Sequence, residues 1–235
     1  ETPPVAAAKK RVLVFGARGY VGTNLVARLM REDVEVRATA RRTEMLAVRG
    51  WKGVEIMTAD VLAPATLPSA LQGVDTAYYL VHAMGDEEGI GRLEVHAAEN
   101  FARAAAGAGV RCIVYLTRLL PATSADDAFF ARREVGDALR AGTVPVIELR
   151  AGLIIGPGSG AFEILRDLVL KLPVMVTPRW VHKPSPPIAL PNLLEYLIRL
   201  PQLPAAYGHA FEAGGPKQLT YADMMRTLAR VLGRR

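Results

Sequence analysis

The sequence predicts an α/β fold: a doubly wound parallel sheet with a small C-terminal subregion on the substrate side. Three observations carry this. Short β-branched runs alternate with segments of helical period from residue 11 to residue 149. A glycine-rich turn joins the first run to the first helical segment. Hydrophobic residues make up 51% of the 235 and charged residues 22%, which is enough apolar surface for a sizeable core and too much for a disordered chain.

Residues 1–10 read as a disordered lead-in without a signal-peptide pattern, and 11–235 as one domain. Arg11 to Phe15 is a β-branched strand. Tyr20 to Arg31 places Val21, Leu25, Val26 and Leu29 on one helical face. Val34 to Thr39 alternates as a strand, Thr43 to Val48 is a short helix, and Val54 to Thr58 a third strand. Pro68 to Leu71 begins a helical turn, and Val74 to Val81 is a fourth strand. The alanine-rich helix Leu93 to Ala106 stops at Gly107 and Gly109. Val110 to Leu116 is a strand, Ala128 to Arg140 a helix, and Val144 to Leu149 a strand. Strands that alternate with helices give a parallel sheet covered on both faces by right-handed crossovers.

After Leu149 the texture changes. Gly156 to Gly160 is a loop and Phe162 to Leu172 a helix. Eight prolines between Pro173 and Pro204 disfavour regular elements and predict irregular structure over the C-terminal edge of the sheet. Leu193 to Leu200 and Tyr221 to Leu232 are later helices, with Ala210 to Ala213 a last strand between them.

Lys+Arg total 29 against 23 Asp+Glu, a formal charge of +6. The arginines are dispersed, with no basic stretch interleaved with aromatics, so the charge does not describe a nucleic-acid surface. No apolar stretch approaches the roughly 18 residues of a membrane span, and the cytoplasm is the default location. The expected partners are a small-molecule substrate and, for a homodimer rather than a monomer, a second copy of the chain. The single cysteine, Cys112, excludes an internal disulfide framework and a cysteine-rich zinc site, and no metal is expected. Its apolar surroundings, Ile113 to Leu116, make it a buried, inert thiol. Only six of the 29 basic residues are lysines, and none lies between Lys52 and Lys171.

The turn Gly16-Ala17-Arg18-Gly19-Tyr20-Val21-Gly22 follows the first strand and opens the first helix. Its GxxGxxG spacing suits a tight turn, close approach of a pyrophosphate and close helix-to-strand packing. The helix N-terminus adds free N–H groups and a positive dipole end. Gly16, Arg18, Gly19, Tyr20, Val21 and Gly22 are therefore expected to bind a dinucleotide. The second strand ends in Arg37-Ala38-Thr39-Ala40-Arg41-Arg42, without the acid that holds ribose hydroxyls in an NAD site. Arg41 and Arg42, with Arg18 on the same side, suit a 2′-phosphate, because the guanidinium fork matches phosphate geometry. The expected cofactor is NADP(H).

The glycine pattern, Asp60-Val61 and Arg150-Ala151-Gly152 resemble the atypical, NmrA-like branch of the short-chain dehydrogenase/reductase superfamily. Tyr78-Tyr79-Leu80-Val81-His82-Ala83-Met84 is similar to a Tyr-Tyr-Leu-Val-His-Ser-Met segment of one bacterial group within it. Glu134-Val135-Gly136, Leu172 to Trp180 and Gly214-Gly215-Pro216 extend the likeness over nearly the whole chain. The resemblance implies a Rossmann-type fold and an NADP(H) site, with Asp60 and Val61 near the adenine. It also puts the Val81-His82 turn beside the nicotinamide ribose.

The superfamily's Tyr-x-x-x-Lys pair is absent. A phenol titrates near ~10 and needs a neighbouring ammonium to work near neutrality. Alignment puts Ala128 at the tyrosine and Arg132 at the lysine position, and the lysine gap makes the same point without alignment. The serine position falls at Thr117 or Arg118, where the nearer group has glycines. Tyr79, His82, Tyr115, Thr117 and Arg118 remain near the expected nicotinamide. Tyr79, His82, Thr117 and Arg132 are the catalytic candidates, and Thr117 and His82 also the cofactor contacts. Tyr78 and Tyr79 point to opposite faces, so at most one serves the site. Asn100 reads as structural. Met175, Trp180 and the prolines around them would roof an apolar substrate pocket. Three functions stay open: an NADPH-dependent reductase of a carbonyl, imine or activated alkene, a non-catalytic NADP(H)-binding regulator, and a non-redox isomerase or cyclase.

Overall fold

The computed structural model describes residues 9–81, 90–119, 127–171 and 184–233, with the side chains of 90 and 127–132 outside the description. The elements run β1 (Lys10–Phe15), α1 (Tyr20–Leu29), β2 (Val34–Ala40), α2 (Glu44–Ala47), β3 (Val54–Thr58), α3 (Leu67–Leu71), β4 (Thr76–Tyr79) and α4 (Ile90–Gly107). They continue as β5 (Cys112–Arg118), α5 (Asp127–Arg140), β6 (Val146–Ala151), β7 (Ile154–Ile155), α6 (Gly160–Lys171), β8 (Pro184–Ser185) and β9 (Ile188–Ala189). The last are α7 (Leu190–Arg199), β10 (Ala210–Ala213), β11 (Leu219–Thr220) and α8 (Tyr221–Val231).

Seven strands form one sheet in the order β10-β6-β5-β4-β1-β2-β3, every neighbouring pair parallel. The fold is the Rossmann-type doubly wound α/β sheet that the sequence predicts. The order reverses at β1, which lies between β2 and β4. A crevice therefore opens there at the C-terminal ends of the strands, the place where such sheets bind ligands.

Period-2 alternation sorts the strand residues onto two cores. Val12, Val14, Tyr78, Val114 and Ile147 face Leu25, Val26 and Leu29 of α1 and Leu193, Leu194 and Leu197 of α7. Leu13, Phe15, Tyr79, Ile113, Tyr115 and Val146 face α3, Ala98 and Phe101 of α4, and Val135 and Leu139 of α5. The central strands are buried on both faces, so they read as continuous apolar runs rather than alternating ones.

Charge also sits inside this framework. Arg37 is 4% exposed in mid-β2. Its Nε donates to Glu55 at 2.8 Å and its Nη1 to the carbonyls of Ala70 at 2.6 Å and Gln72 at 2.9 Å. The guanidinium thus satisfies orphan carbonyls at the end of α3, which no further turn of helix would reach.

The C-terminal quarter is more regular than its prolines suggest. α7 starts at Leu190 rather than Leu193 and carries Pro191 in its first turn, where a missing N–H removes no helical bond. β8 and β9 lie in the segment read as irregular, and each forms a small ladder with a strand outside it, β8 with β11 and β9 with β7. A third cluster joins Leu165 and Val169 of α6 to Met224 and Met225 of α8. The capping box of Thr220 and Asp223 fixes the start of α8.

Two outcomes are expected. Arg37→Met leaves the α3 carbonyls without a donor and lowers unfolding free energy by ~2–4 kcal/mol, measured by urea denaturation. Burial pushes the Cys112 thiol up to about 12, so the native protein does not react with a thiol reagent at pH 8 and one equivalent reacts once it is denatured.

Candidate cofactor and active site

The glycine turn sits at the reversal between β1 and β4. Gly16 has a φ of 98° and lies against β4's exit, where a Cβ would come within 2.8 Å of the Leu80 carbonyl oxygen. Gly22, one turn into α1, lets the helix close on the strand: its Cβ would fall 2.2 Å from the Gly16 oxygen. Those two glycines are demanded by packing within the protein. Gly19 is different. It caps α1 with an extended backbone, its N–H donates to Gly16 at 3.0 Å, and a Cβ there would meet nothing nearer than 3.4 Å. The fold leaves that space open, as close approach of a ligand to the backbone requires. No side chain caps α1 and no acid lies in its first turn, so its positive end is not neutralised locally.

Arg18, Arg41 and Arg42 are exposed around this turn. Among the described residues none of the three side chains has an ion-pair or hydrogen-bond partner, unlike Arg11, Arg28, Arg37, Arg140 and Arg150, each tied to a carboxylate. Past β3, half-buried Asp60 accepts the Leu62 N–H at 3.0 Å and donates its own N–H to Thr66 Oγ1 at 2.9 Å. Asn100 is buried and donates to the Val61 carbonyl at 2.9 Å, so it braces this loop rather than a neighbouring strand. The Asp60-Val61 bend is therefore held from α4.

On the other side of the crevice, β4 stops early. Its register with β5 ends at Tyr79 opposite Tyr115, while β5 runs on through Leu116, Thr117 and Arg118 paired only with β6. The overhanging end of β5 borders the space above β4, where half-buried Val81 leaves the sheet. Thr117 is 3% exposed, and its hydroxyl has no hydrogen-bond partner among the described residues. Arg118 ends the strand exposed. His82, the Arg132 side chain, and the roofing residues Met175 and Trp180 lie outside the described residues.

Tyr79 is 2% exposed and packs in an aromatic cluster with Phe15, Phe101 and Tyr115, its ring centroid 4.9 Å from that of Phe101. Burial raises its phenol far above the ordinary tyrosine range, which keeps it protonated at any working pH. Tyr78 lies on the other face and donates to the Leu197 carbonyl at 3.0 Å.

Two features were not read from the sequence. Glu148, 4% exposed on β6, receives Arg150 Nε at 2.7 Å and also bonds Arg140 of α5. Gly136 makes room for this bridge, since a Cβ there would crowd both partners. A Glu and an Arg two residues apart inside an apolar strand were the available signal. Second, the Tyr20 ring spans from the glycine turn to the next glycine loop. Its buried hydroxyl lies 2.4 Å from where a Gly156 Cβ would stand, and it has no hydrogen-bond partner among the described residues. Native proteins rarely leave buried hydroxyls unmatched, and those of Tyr20 and Thr117 stand at the ligand-bearing edge.

Together these features define a dinucleotide-binding site at the reversal of a Rossmann-type sheet. The NmrA-like family profile matches residues 8–135, and the chain belongs to that family. A (4-alkanoyl-5-oxo-2,5-dihydrofuran-3-yl)methyl phosphate reductase of Streptomyces griseus is 31% identical over 232 residues, covering 95% of this chain and 74% of that protein. A ceramide reductase of Caulobacter vibrioides is 27% identical, over 70% of this chain and 52% of that one. Among solved structures, Citrobacter sp. triphenylmethane reductase complexed with NADP(H) superposes with a TM-score of 0.78 at 18% identity, covering 96% of this chain and 77% of that chain. Bordetella bronchiseptica WbmG in complex with NAD gives 0.79 at 16%, covering 99% and 81%. At such identities the structural likeness shows the shared fold, and the neighbours bind NAD or NADP(H). Among the described residues no helix is long and apolar enough to cross a membrane.

The three glycines separate by experiment. Gly22→Ala forces helix against strand and is expected to destabilise the fold by ~1–3 kcal/mol. Gly19→Ala is expected to leave the thermal midpoint close to wild type and to weaken NADPH binding at least tenfold, read by cofactor fluorescence titration. Equal NADPH affinity in Gly19→Ala and wild type would remove the ligand role of that open space.

Proposed function

We propose that the protein is an NADPH-dependent reductase of a small organic carbonyl, imine or activated alkene. The observation that carries this is the set of three arginines around the glycine turn, Arg18, Arg41 and Arg42, whose side chains have no partner among the described residues, with no acid at the end of β2. Two reductases among the relatives support the reaction class, and the substrate named for one of them is a phosphate ester.

In this reading the N-terminus of α1 and Gly16 to Gly22 hold the pyrophosphate, and the arginines hold the 2′-phosphate. The Asp60-Val61 bend, braced by Asn100, borders the adenine. Val81 and His82 border the nicotinamide ribose. The bound cofactor supplies a hydride, and the protein's own task is to place the acceptor and move a proton. Thr117, with an unmatched hydroxyl on the overhang of β5, donates to the acceptor oxygen or nitrogen. Arg132 adds positive potential from α5 and does not transfer a proton. His82 or water delivers the proton, as imidazole titrates near neutrality. Tyr79 positions the floor through its aromatic contacts.

One observation favours a second reading, an NADP(H)-binding regulator: no lysine occurs from residue 53 to residue 170, so no Tyr-Lys pair can form on α5. Mixing the protein with NADPH and a broad panel of carbonyls, imines and activated alkenes, and following NADPH absorbance, separates the two. Oxidation of NADPH supports the reductase, and tight binding without oxidation across the panel supports the regulator.

The cofactor choice has its own test. Arg41→Ala is expected to lower the preference for NADPH over NADH about tenfold or more, since a hydrogen bond to a charged group contributes ~1.5–3 kcal/mol. An unchanged affinity ratio would place the 2′-phosphate elsewhere and undo the NADP(H) assignment.

A further inference from the structure

We propose that Arg118 is a specificity residue that selects an anionic substrate, one carrying a carboxylate or a phosphate besides the group that is reduced. This rests on the reductase reading and adds the substrate class to it.

The argument starts from the register. β5 outruns β4 by three residues, so Leu116, Thr117 and Arg118 have β6 on one flank and no ladder partner from β4 on the other. The open flank borders the space above the end of β4, where the Leu80–Val81 backbone leaves the sheet beside Gly16. Six buried residues precede Arg118 on the strand, and it emerges exposed at the end of that run. Opposite it in register stands Ala151, too small to cover it and without charge to match it.

Among the described residues no charge neutralises Arg118. Its side chain has no ion pair and no hydrogen bond among the described residues. Glu148, the buried acid of the adjacent strand, belongs to the other face of the sheet, in register with Tyr115. Both of its carboxylate oxygens are already taken, one by Arg140 and one by Arg150. The end of β5 therefore presents an unmatched guanidinium on the face of Val114 and Leu116, while the pleat puts the Thr117 hydroxyl on the opposite face, that of Ile113 and Tyr115. Arginine's planar fork suits carboxylate and phosphate oxygens, and partial removal from water strengthens the pairing. A neutral substrate would gain nothing from that exposed cation. An anionic one is anchored by Arg118 while its reducible group lies over the end of β4.

The test uses the full chain loaded with NADPH and matched probe pairs. One series compares benzoylformate with methyl benzoylformate, the other hydroxyacetone phosphate with hydroxyacetone. NADPH fluorescence reads probe binding and NADPH absorbance reads turnover, both at fixed ionic strength. Wild type is expected to bind at least one anion tenfold or more tightly than its neutral partner, and the series that shows this tells carboxylate from phosphate. Arg118→Gln is expected to abolish that preference and Arg118→Lys to keep part of it. Arg230→Gln, which removes the same charge from an exposed position on α8, is expected to leave the preference intact. The proposal is overturned if neither anion binds, if wild type shows no preference, or if Arg118→Gln keeps it. Weaker NADPH affinity in Arg118→Gln with unchanged probe selectivity would give Arg118 to the cofactor and also overturn it. Anion-selective binding without NADPH oxidation defeats the reductase reading alone and leaves the Arg118 site standing.

Discussion

The approach of α1 to β1 at Gly16 is the contact on which the rest of the site depends. The Gly16 carbonyl lies between its own turn and the helix: it accepts the Gly19 N–H, and it stands where a Gly22 side chain would begin. On the other side Gly16 itself presses against the Leu80 carbonyl of β4's exit. One turn thus sets the position of the helix N-terminus and the mouth of the crevice together. A side chain at either glycine would push the helix dipole off its axis toward the ligand and prise β4 from β1. Gly19, by contrast, touches nothing that would exclude a side chain. The fold itself does not demand a glycine there.

The molecule treats polar groups in two ways. Inside the framework they are matched. Arg37 binds the end of α3, Glu148 is bridged by two arginines, and Asn100 reaches the Val61 carbonyl. Buried charge left unmatched would be strongly destabilising, so these groups act as fixed cross-links between elements. Along the C-terminal edge the reverse holds. Tyr20 and Thr117 keep buried hydroxyls without partners, and Arg18, Arg41, Arg42 and Arg118 keep charges without counter-ions among the described residues. That contrast within one fold distinguishes the groups that build it from those open to a ligand.

Much of this was legible in the sequence. The alternation of β-branched runs with helical segments gave the doubly wound sheet, and the glycine spacing gave its reversal point, because both depend on local pattern. Strand ends were read less well. Val74 was placed in β4, yet its N–H turns back to Leu71, and the ladder starts at Thr76. Whether a valine continues a ladder depends on a partner strand that local pattern does not name. Arg37 stands in the same short run as Arg41 and Arg42, yet the pleat turns it inward to α3 while those two lie beyond the strand's end. Prolines were read as breakers where Pro191 opens a helix, since position within the first turn decides between those outcomes. The meeting of Tyr20 with Gly156 was not legible, because it joins residues 136 positions apart through shape alone.

α7 closes one face of the sheet, with Leu193, Leu194 and Leu197 covering the strands and the Leu197 carbonyl receiving the Tyr78 hydroxyl. The two ends of that hydrogen bond are 119 residues apart in the chain. During synthesis at ~5–20 residues per second, β4 therefore emerges ~6–24 s before the helix that covers it. Over that interval α1 and the short α2 are the helices available to this face, and the part around Tyr78 that α7 closes has no lid. The nascent chain passes through a window in which its most apolar surface is open to chaperones or to other chains.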